Sequence, residues 1–394
     1  MKKILIIGAG FLQDFVIKKS VSMGYETLAI DANPNAVGFS HAHGHAVVDI
    51  VDEEACLGYA KQERIDGVLT AATDFGVLSA SYIAQEMGLL GLKYEVAQLI
   101  KNKTKVRKKL FEAHVDDSDQ AYEVNSSTNL ENLKNRLSYP VMVKPCDGSG
   151  SRGASRVDQQ KDLDVACAYA MSCSISHRAE IETFIIGREY GAESLVVNGD
   201  VYVLGIMKKW MTKPPFYAEL GHAMPCGLSP EIEKRARICV KNAIAELGIN
   251  FGSVNMDLII TDDGKVYIID IGARMGGNMI GPCVIPYGTG IDYMGAMIRN
   301  AVGDDVCFVK NSHAAVATKL LAFEKGIVKR IPDIKSLEKQ YDVEIYHHIK
   351  PGMLVNEYHT NLDGCGYIIA KGMNVEEAEA KANGALKFIQ HMIF

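Results

Sequence analysis

The stretch SVNMDLIITDDGKVYIIDIGARMGGN, Ser253 to Asn278, decides the fold. Asp-Gly between two apolar runs signals a two-residue hairpin turn. With Asp263 and Gly264 at the turn, Asp262 faces Lys265, and counting outward pairs Ile260 with Tyr267, Leu258 with Ile269 and Met256 with Ile271. The other face pairs Thr261 with Val266, Ile259 with Ile268, and then Asp257 with Asp270. Directly opposed residues have Cβ atoms roughly 4.5–5.5 Å apart, and like charges there destabilise a sheet. Two facing carboxylates on an apolar hairpin demand a cation or a shared proton. Magnesium, held by one or two carboxylates plus substrate phosphates, meets that demand. A solvated sheet end is the bland alternative, and the apolar neighbours argue against it.

Upstream, YPVMVKPCDGSGSRG (Tyr139 to Gly153) reads as a buried strand entering a glycine-punctuated loop. Glycines let several backbone N–H groups point at one anion. A P-loop carries its lysine after the glycines, whereas Lys144 precedes them here. In AEIETFIIGREYGAE, Glu182 and Glu189 flank a connection through Gly187. Carboxylates there can accept hydrogen bonds from ribose hydroxyls and adenine amino groups, though a charged surface turn is the default. GAGFLQ, Gly8 to Gln13, sits between strand and helix as a dinucleotide fingerprint does, with Asp31 as the ribose acid. Gln13 replaces the third glycine, so a structural turn or a substrate-side pocket is the stronger reading. His41, His43 and His45 share a strand face but read as an exposed polar loop, because no further ligand-like residue accompanies them.

The 394 residues, 48% hydrophobic and 23% charged, suit a globular chain of two or three domains. A net charge of −6 argues against a nucleic-acid partner bound through phosphate neutralisation. Membrane partners are not expected either, since no apolar run reaches the roughly 18 residues of a span. MKKILIIGAG reads as strand and turn rather than a signal peptide. Nine cysteines without a C-x-x-C pair point to reduced thiols and a cytoplasmic setting. Residues 1–102 alternate strand and helix, which implies a doubly wound parallel sheet. Residues 103–304 carry antiparallel runs, an α+β texture with a small lobe at about 113–182 and a large lobe at about 183–304. Residues 305–394 form a third, α+β segment. The fold class is therefore α/β and α+β.

Together these residues resemble the ATP-grasp superfamily of carboxylate–amine ligases, across nearly the whole chain. GAGFLQ…IDANPNAVGFS and IDGVLTAATD are similar to the N-terminal domain of its purine-biosynthetic and carbamoyl-phosphate-synthase-like members. IKPGMLVNEYHTNLDGCGYIIAKGMNVEEAEAKA is similar to their C-terminal domain. The resemblance implies an ATP-grasp fold, Lys144 and Lys103 on the nucleotide phosphates, and Gly148, Ser149, Gly150, Ser151 and Gly153 in a closing lid. It implies Glu182, Thr183 and Ile185 at the adenine, Glu189 at the ribose, Asp257 and Asp270 on magnesium (or manganese), and catalytic Arg274 at the transferred phosphate. Two departures stand out: the second metal acid is Asp270 where glutamate is usual, and Gly272 stands where asparagine is frequent. Asn278 could supply the missing oxygen.

The activity implied is ATP- and magnesium-dependent joining of a small carboxylic acid to an amine, with release of ADP. A dimer is the assembly the superfamily suggests. WMTKPPFYAELGHAMPCGLSPE lies between the lobes, with Glu219 and His222 as candidate substrate residues. Arg274 and Arg299 are candidate carboxylate clamps, since a guanidinium fork binds a carboxylate bidentately. Two other readings stand beside the ligase: an ATP-binding sensor or partner subunit without turnover, suggested by Asp270 and Gly272, and an NAD-dependent dehydrogenase using GAGFLQ.

Overall fold

The structure, a computed structural model, describes residues 1–147, 153–214, 216–308 and 313–394. Its N-terminal part is a four-stranded parallel sheet in the order Gly44–Val47, Glu26–Asp31, Lys3–Ile7, Gly67–Thr70. The central strand KILII is apolar because helices cover both faces of such a sheet. Helices Phe11–Ser22, Glu53–Glu63 and Val77–Met87 fall where the 3.6-residue periodicity puts them.

The small lobe is an antiparallel sheet, Tyr122–Val124, Ala179–Thr183, Val141–Pro145, Ser155–Val157, backed by helix Leu163–Cys173. The large lobe is built on an eight-stranded sheet. Its order is Val266–Gly272, Gly252–Ile260, Arg188–Val197, Asp200–Met211, Glu219–Met224, Ala315–Leu320, Gly366–Gly372, Val343–His347. The last three strands come from the segment after 305, so a boundary at 304 does not interrupt the sheet. Helices Pro230–Glu246 and Val375–Ile393 pack on its back face. The N-terminal domain and helix Tyr293–Ala301 pack on the front. Among the described residues no helix is long and apolar enough to cross a membrane.

Two sequence expectations need correction here. The hairpin turn is not a two-residue one: Lys265 O accepts from the Thr261 N–H (3.1 Å), Thr261 O accepts from Gly264 N–H (2.9 Å), and Gly264 sits at φ +79°. A glycine in the left-handed region closing a three-residue loop is a common hairpin solution. It shifts the pairing by one, to Ile260 with Val266, Ile259 with Tyr267 and Leu258 with Ile268. A bulge between Asp257 and Leu258 then absorbs Ile269, and Asp257 faces Asp270 after all, as Met256 faces Ile271. Bulges re-aim side chains beside active sites; this one turns the neighbours Ile269 and Asp270 into the same cleft.

The second correction concerns ELGHAM, which the proline-rich surroundings present as an inter-lobe loop. It is strand Glu219–Met224, in the interior of the large sheet. Gly221 makes that possible, because a Cβ there would stand 2.0 Å from Thr318 O on the neighbouring strand.

Candidate active site

A cleft of about 1480 Å³ lies between the small lobe, the front of the large sheet and the N-terminal domain, and continues around the strand ends to the back of the sheet. At one end, Met142 of the small lobe opposes Ile259 and Ile269 of the large sheet, with Glu182, Thr183, Phe184 and Ile185 along the edge. This is an apolar slot with backbone along one side. Lys144 leaves strand Val141–Pro145 into the slot and donates to Glu182 (2.7 Å) and Ile269 O (3.2 Å), with Glu180 3.5 Å away. Burial opposes its charge, but Glu182 and Glu180 outweigh burial and raise its pKa. Arg107, buried beside it, holds Asp116 at 3.1 Å and approaches Glu182 at 3.6 Å.

Lys103 opens helix Lys103–Glu112, where Asn102 caps the helix by accepting from the Lys105 N–H (2.9 Å). Its ammonium is hydrogen-bonded to Asp270. Lys103, Lys144 and Asp270 thus converge from three elements. Gly153 sits at φ +82°, where a Cβ would stand 2.7 Å from Pro145 and 2.8 Å from Cys173, so the loop re-enters the small lobe only through glycine. The other lid residues, Gly148, Ser149, Gly150 and Ser151, lie outside the described residues.

Sequence reasoning missed Lys209. Its side chain, 1% exposed, points from strand Asp200–Met211 into a ring of acids: Glu219 at 2.5 Å, Asp257 at 2.8 Å and Glu189 at 3.9 Å. The signal was available in the alternation of IMKKW, which puts two consecutive lysines on opposite faces of one strand. Burial raises the carboxyl of Asp257 despite Lys209, and raises Glu189 to about 7. Glu219 goes the other way: burial opposes ionisation, but Lys209 and His222 prevail and bring it down to about 2. His222 is 1% exposed and burial lowers its pKa to about 4, so its imidazole is neutral, and its Nδ1 has no hydrogen-bond partner among the described residues.

Arg274 is held bidentately by Asp74 of the N-terminal domain (2.9 and 3.0 Å) and donates to Asn255 at 3.3 Å. Its pKa is raised, Asp74 outweighing burial. That pair explains Gly272, because a Cβ there would stand 2.9 Å from Arg274 Cζ and 3.0 Å from Asp74 Oδ1. Asn278 is not the replacement amide: its Nδ2 donates to Glu219 and its Oδ1 accepts from Tyr367 at 3.2 Å. The amide that faces Gly272 across the hairpin is that of Asn255. Arg299 does not join the cleft. It lies on helix Tyr293–Ala301, where its charge acts on Tyr25 and Asp304.

Asp257 and Asp270 offer two hard oxygen donors side by side, which suits magnesium bridging to nucleotide phosphates rather than an all-protein cage. Among the described residues no group of three or more His, Cys, Asp or Glu able to hold a metal occurs. The three histidines of SHAHGHAV are used separately: His41 on Asp14 (2.8 Å), His43 accepting from the Thr27 N–H (3.0 Å), His45 stacked on Phe39. The fingerprint acid Asp31 accepts from the Ala9 and Asn33 N–H groups, both at 2.8 Å. Gln13, 8% exposed, fills the place of the third glycine and donates to Ala71 O. The loop is a fixed structural turn.

Residues 137–282 match the ATP-grasp domain family, and residues 319–391 match the L-amino acid ligase C-terminal domain 2. Among curated proteins, an uncharacterized protein of Sinorhizobium fredii is 25% identical over 88% of this chain and 73% of its own length. The formate-dependent phosphoribosylglycinamide formyltransferase of Sulfurisphaera tokodaii is 22% identical over 98% of this chain and 96% of its own. The fold is shared with the L-amino acid ligase of Bacillus licheniformis (TM-score 0.83, 24% identity, 99% and 98% of the two chains). It is also shared with phosphoribosylglycinamide synthetase of Anaerococcus prevotii (TM-score 0.79, 24% identity, 100% and 98%). Lysines, paired acids and an arginine ring one cleft, and residues 137–282, which supply most of them, belong to the ATP-grasp domain family.

Proposed function

We propose that the carboxylate activated here is that of an amino acid, joined to the amine of a second amino acid or a simple amine. The observation that carries this is Glu219. It lines the cleft as a carboxylate kept ionised by Lys209 at 2.5 Å, next to the neutral His222. A carboxylate has about four lone-pair sites, so after Lys209 and Asn278 it can still accept a substrate ammonium. The match of residues 319–391 to the L-amino acid ligase C-terminal domain 2 supports the same substrate class.

A free carboxylate resists amine attack because oxide would have to leave. One carboxylate oxygen therefore attacks the γ-phosphorus of ATP, the bond to the β-phosphate oxygen breaks and ADP departs. The amine nitrogen then attacks the carbonyl carbon of the acyl phosphate, inorganic phosphate leaves and the nitrogen loses a proton. Lys144 and Lys103 neutralise phosphate charge, Glu182 with the backbone of Thr183 and Ile185 holds the adenine, and Glu189 the ribose. Asp257 and Asp270 would hold magnesium, which would supply screening of phosphate charge. Arg274 turns from Asp74 toward the transferred phosphate. Such positioning and charge stabilisation is most of what a protein contributes to phosphoryl transfer. His222, with its low pKa, orients the amine by accepting a hydrogen bond rather than storing its proton. We place the reaction in the cytoplasm and the chain in a homodimer, as light scattering can test.

ADP release should be measured with magnesium-ATP over a matrix of amino acids and amines, with Lys144→Ala as control. Release that requires one amino acid and one amine, and is lost in the control, is the expected result. Release driven equally by bicarbonate or by acids lacking an amino group would overturn the amino-acid assignment.

A further inference from the structure

Strand Glu219–Met224 presents Glu219, His222 and Met224 to the cleft, while Ala223 faces the back. Two residues of strand span about 6–7 Å, so Met224 lies one medium-sized side chain beyond His222. The surroundings change character over that distance. Around Glu219 stand Lys209 and Asn278; Met224 packs in an apolar cluster with Leu204, Ile280 and Ile285, of which Ile280 lines the cleft together with Gly288 and Ala315.

The Met224 side chain is 7% exposed and occupies a slot made by two missing side chains. A Cβ on Gly205 would stand 2.7 Å from Met224 Cε, and one on Gly288 would stand 3.0 Å from its Sδ. The thioether therefore packs between strand Asp200–Met211 and helix Ile285–Thr289, in room left by these two glycines. Methionine is flexible and fills irregular gaps, so the depth of the pocket depends on this one side chain.

We propose that Met224 is a specificity-determining residue. The apolar end of the cleft receives the side chain of the amino acid whose ammonium meets Glu219, and Met224 limits it to an aliphatic chain of about leucine or methionine size. This rests on the amino-acid reading of the site. Met224→Ala removes the three atoms beyond Cβ and opens the slot. Gly205→Ala acts in the opposite sense, because its new methyl collides with the mobile Cε and pushes it toward the cleft.

The test is kcat/KM for glycine, alanine, leucine, methionine, phenylalanine, lysine and aspartate with one fixed amine. The wild type should favour leucine and methionine and reject lysine and aspartate. One methylene in an apolar pocket is worth about 10-fold or more in kcat/KM. Met224→Ala should therefore raise the phenylalanine-to-leucine ratio by at least about 10-fold while glycine changes little. Gly205→Ala should lower the methionine-to-alanine ratio, and Met224→Leu, of similar volume, should leave the profile near wild type. A uniform loss across all amino acids in Met224→Ala, or a wild-type preference for charged side chains, overturns the proposal.

If no amino acid elicits ADP release, binding of the same set is measured by calorimetry on protein loaded with magnesium and a non-hydrolysable ATP analogue. Binding that follows the predicted profile and shifts in Met224→Ala upholds the pocket while the ligase reading fails. Absence of binding, or binding that ignores residue 224, overturns the pocket as well.

Discussion

Replacing Lys209 by methionine tests whether one ammonium holds the site together. Its Nζ stands 2.5 Å from Glu219, 2.8 Å from Asp257 and 3.9 Å from Glu189. At an effective dielectric of about 20 these contacts are worth about 7, 6 and 4 kcal/mol before desolvation. Most of that gain is cancelled by the cost of burying the charge. Deleting one partner of a buried pair nevertheless costs about 3–5 kcal/mol, because the opposite charge is left uncompensated. Asp257 and Glu189 keep partial solvent contact, with side chains 31% and 22% exposed, so the lower end, about 3 kcal/mol, is expected. The assay is urea unfolding followed by fluorescence of Trp210, the adjacent residue and the only tryptophan in the chain.

A pH signature accompanies the loss. Without the ammonium, mutual repulsion raises the folded-state pKa of the three acids above their unfolded values. The folded variant then binds more protons than the unfolded chain, so its stability falls as pH rises through that window. The gap between variant and wild type should narrow as pH is lowered from 7 to 5, and added magnesium should narrow it at pH 7. A loss under about 1 kcal/mol, or a gap that ignores both pH and magnesium, refutes the reasoning.

Asp270→Asn should abolish ADP release while leaving the protein folded, as judged by an unchanged Trp210 emission maximum. Persisting background ATPase would separate Asp270 from the metal. Arg274→Lys cannot reproduce a bidentate fork and should lower kcat by about 10²-fold, with ATP affinity by calorimetry little changed. Arg299→Ala, away from the cleft, should leave steady-state kinetics at wild-type values, and a tenfold rise in KM for either substrate would return that arginine to the site. His222, with a pKa lowered to about 4 by burial, should show ring proton resonances that are flat from pH 5 to 8. An inflection near pH 6.5 would contradict its neutral, buried state.

The hairpin shows how far the sequence could be read. Asp257 does face Asp270, yet the counted register reached that pair through two errors that cancel: a loop one residue longer than expected and a bulge at Ile269. Pairing was legible because the two acids interrupt apolar runs; the bulge was not, because nothing in IIDIG distinguishes a residue that leaves the ladder. Strand Glu219–Met224 was hidden for a related reason. Its cleft face carries Glu219 and His222 instead of apolar residues, which removes the alternation that announces a strand. Lys209 was lost beside Lys208, since a lysine pair reads as surface charge until the partners on each face are known. The N-terminal parallel sheet, by contrast, was plain from buried strands alternating with periodic helices.

The place of strand Glu219–Met224 in the large sheet has a consequence for biosynthesis. One of its two neighbours, Ala315–Leu320, follows about 100 residues later in the chain. At 5–20 residues per second, the strand leaves the ribosome roughly 5–20 s before that partner. During that interval it is an open edge, of the kind that pairs with foreign strands. Glu219 and His222, charged or polar on the exposed face, discourage such pairing while the nascent chain waits. The same side chains that we assign to the substrate in the finished protein thus serve as gatekeepers during its synthesis.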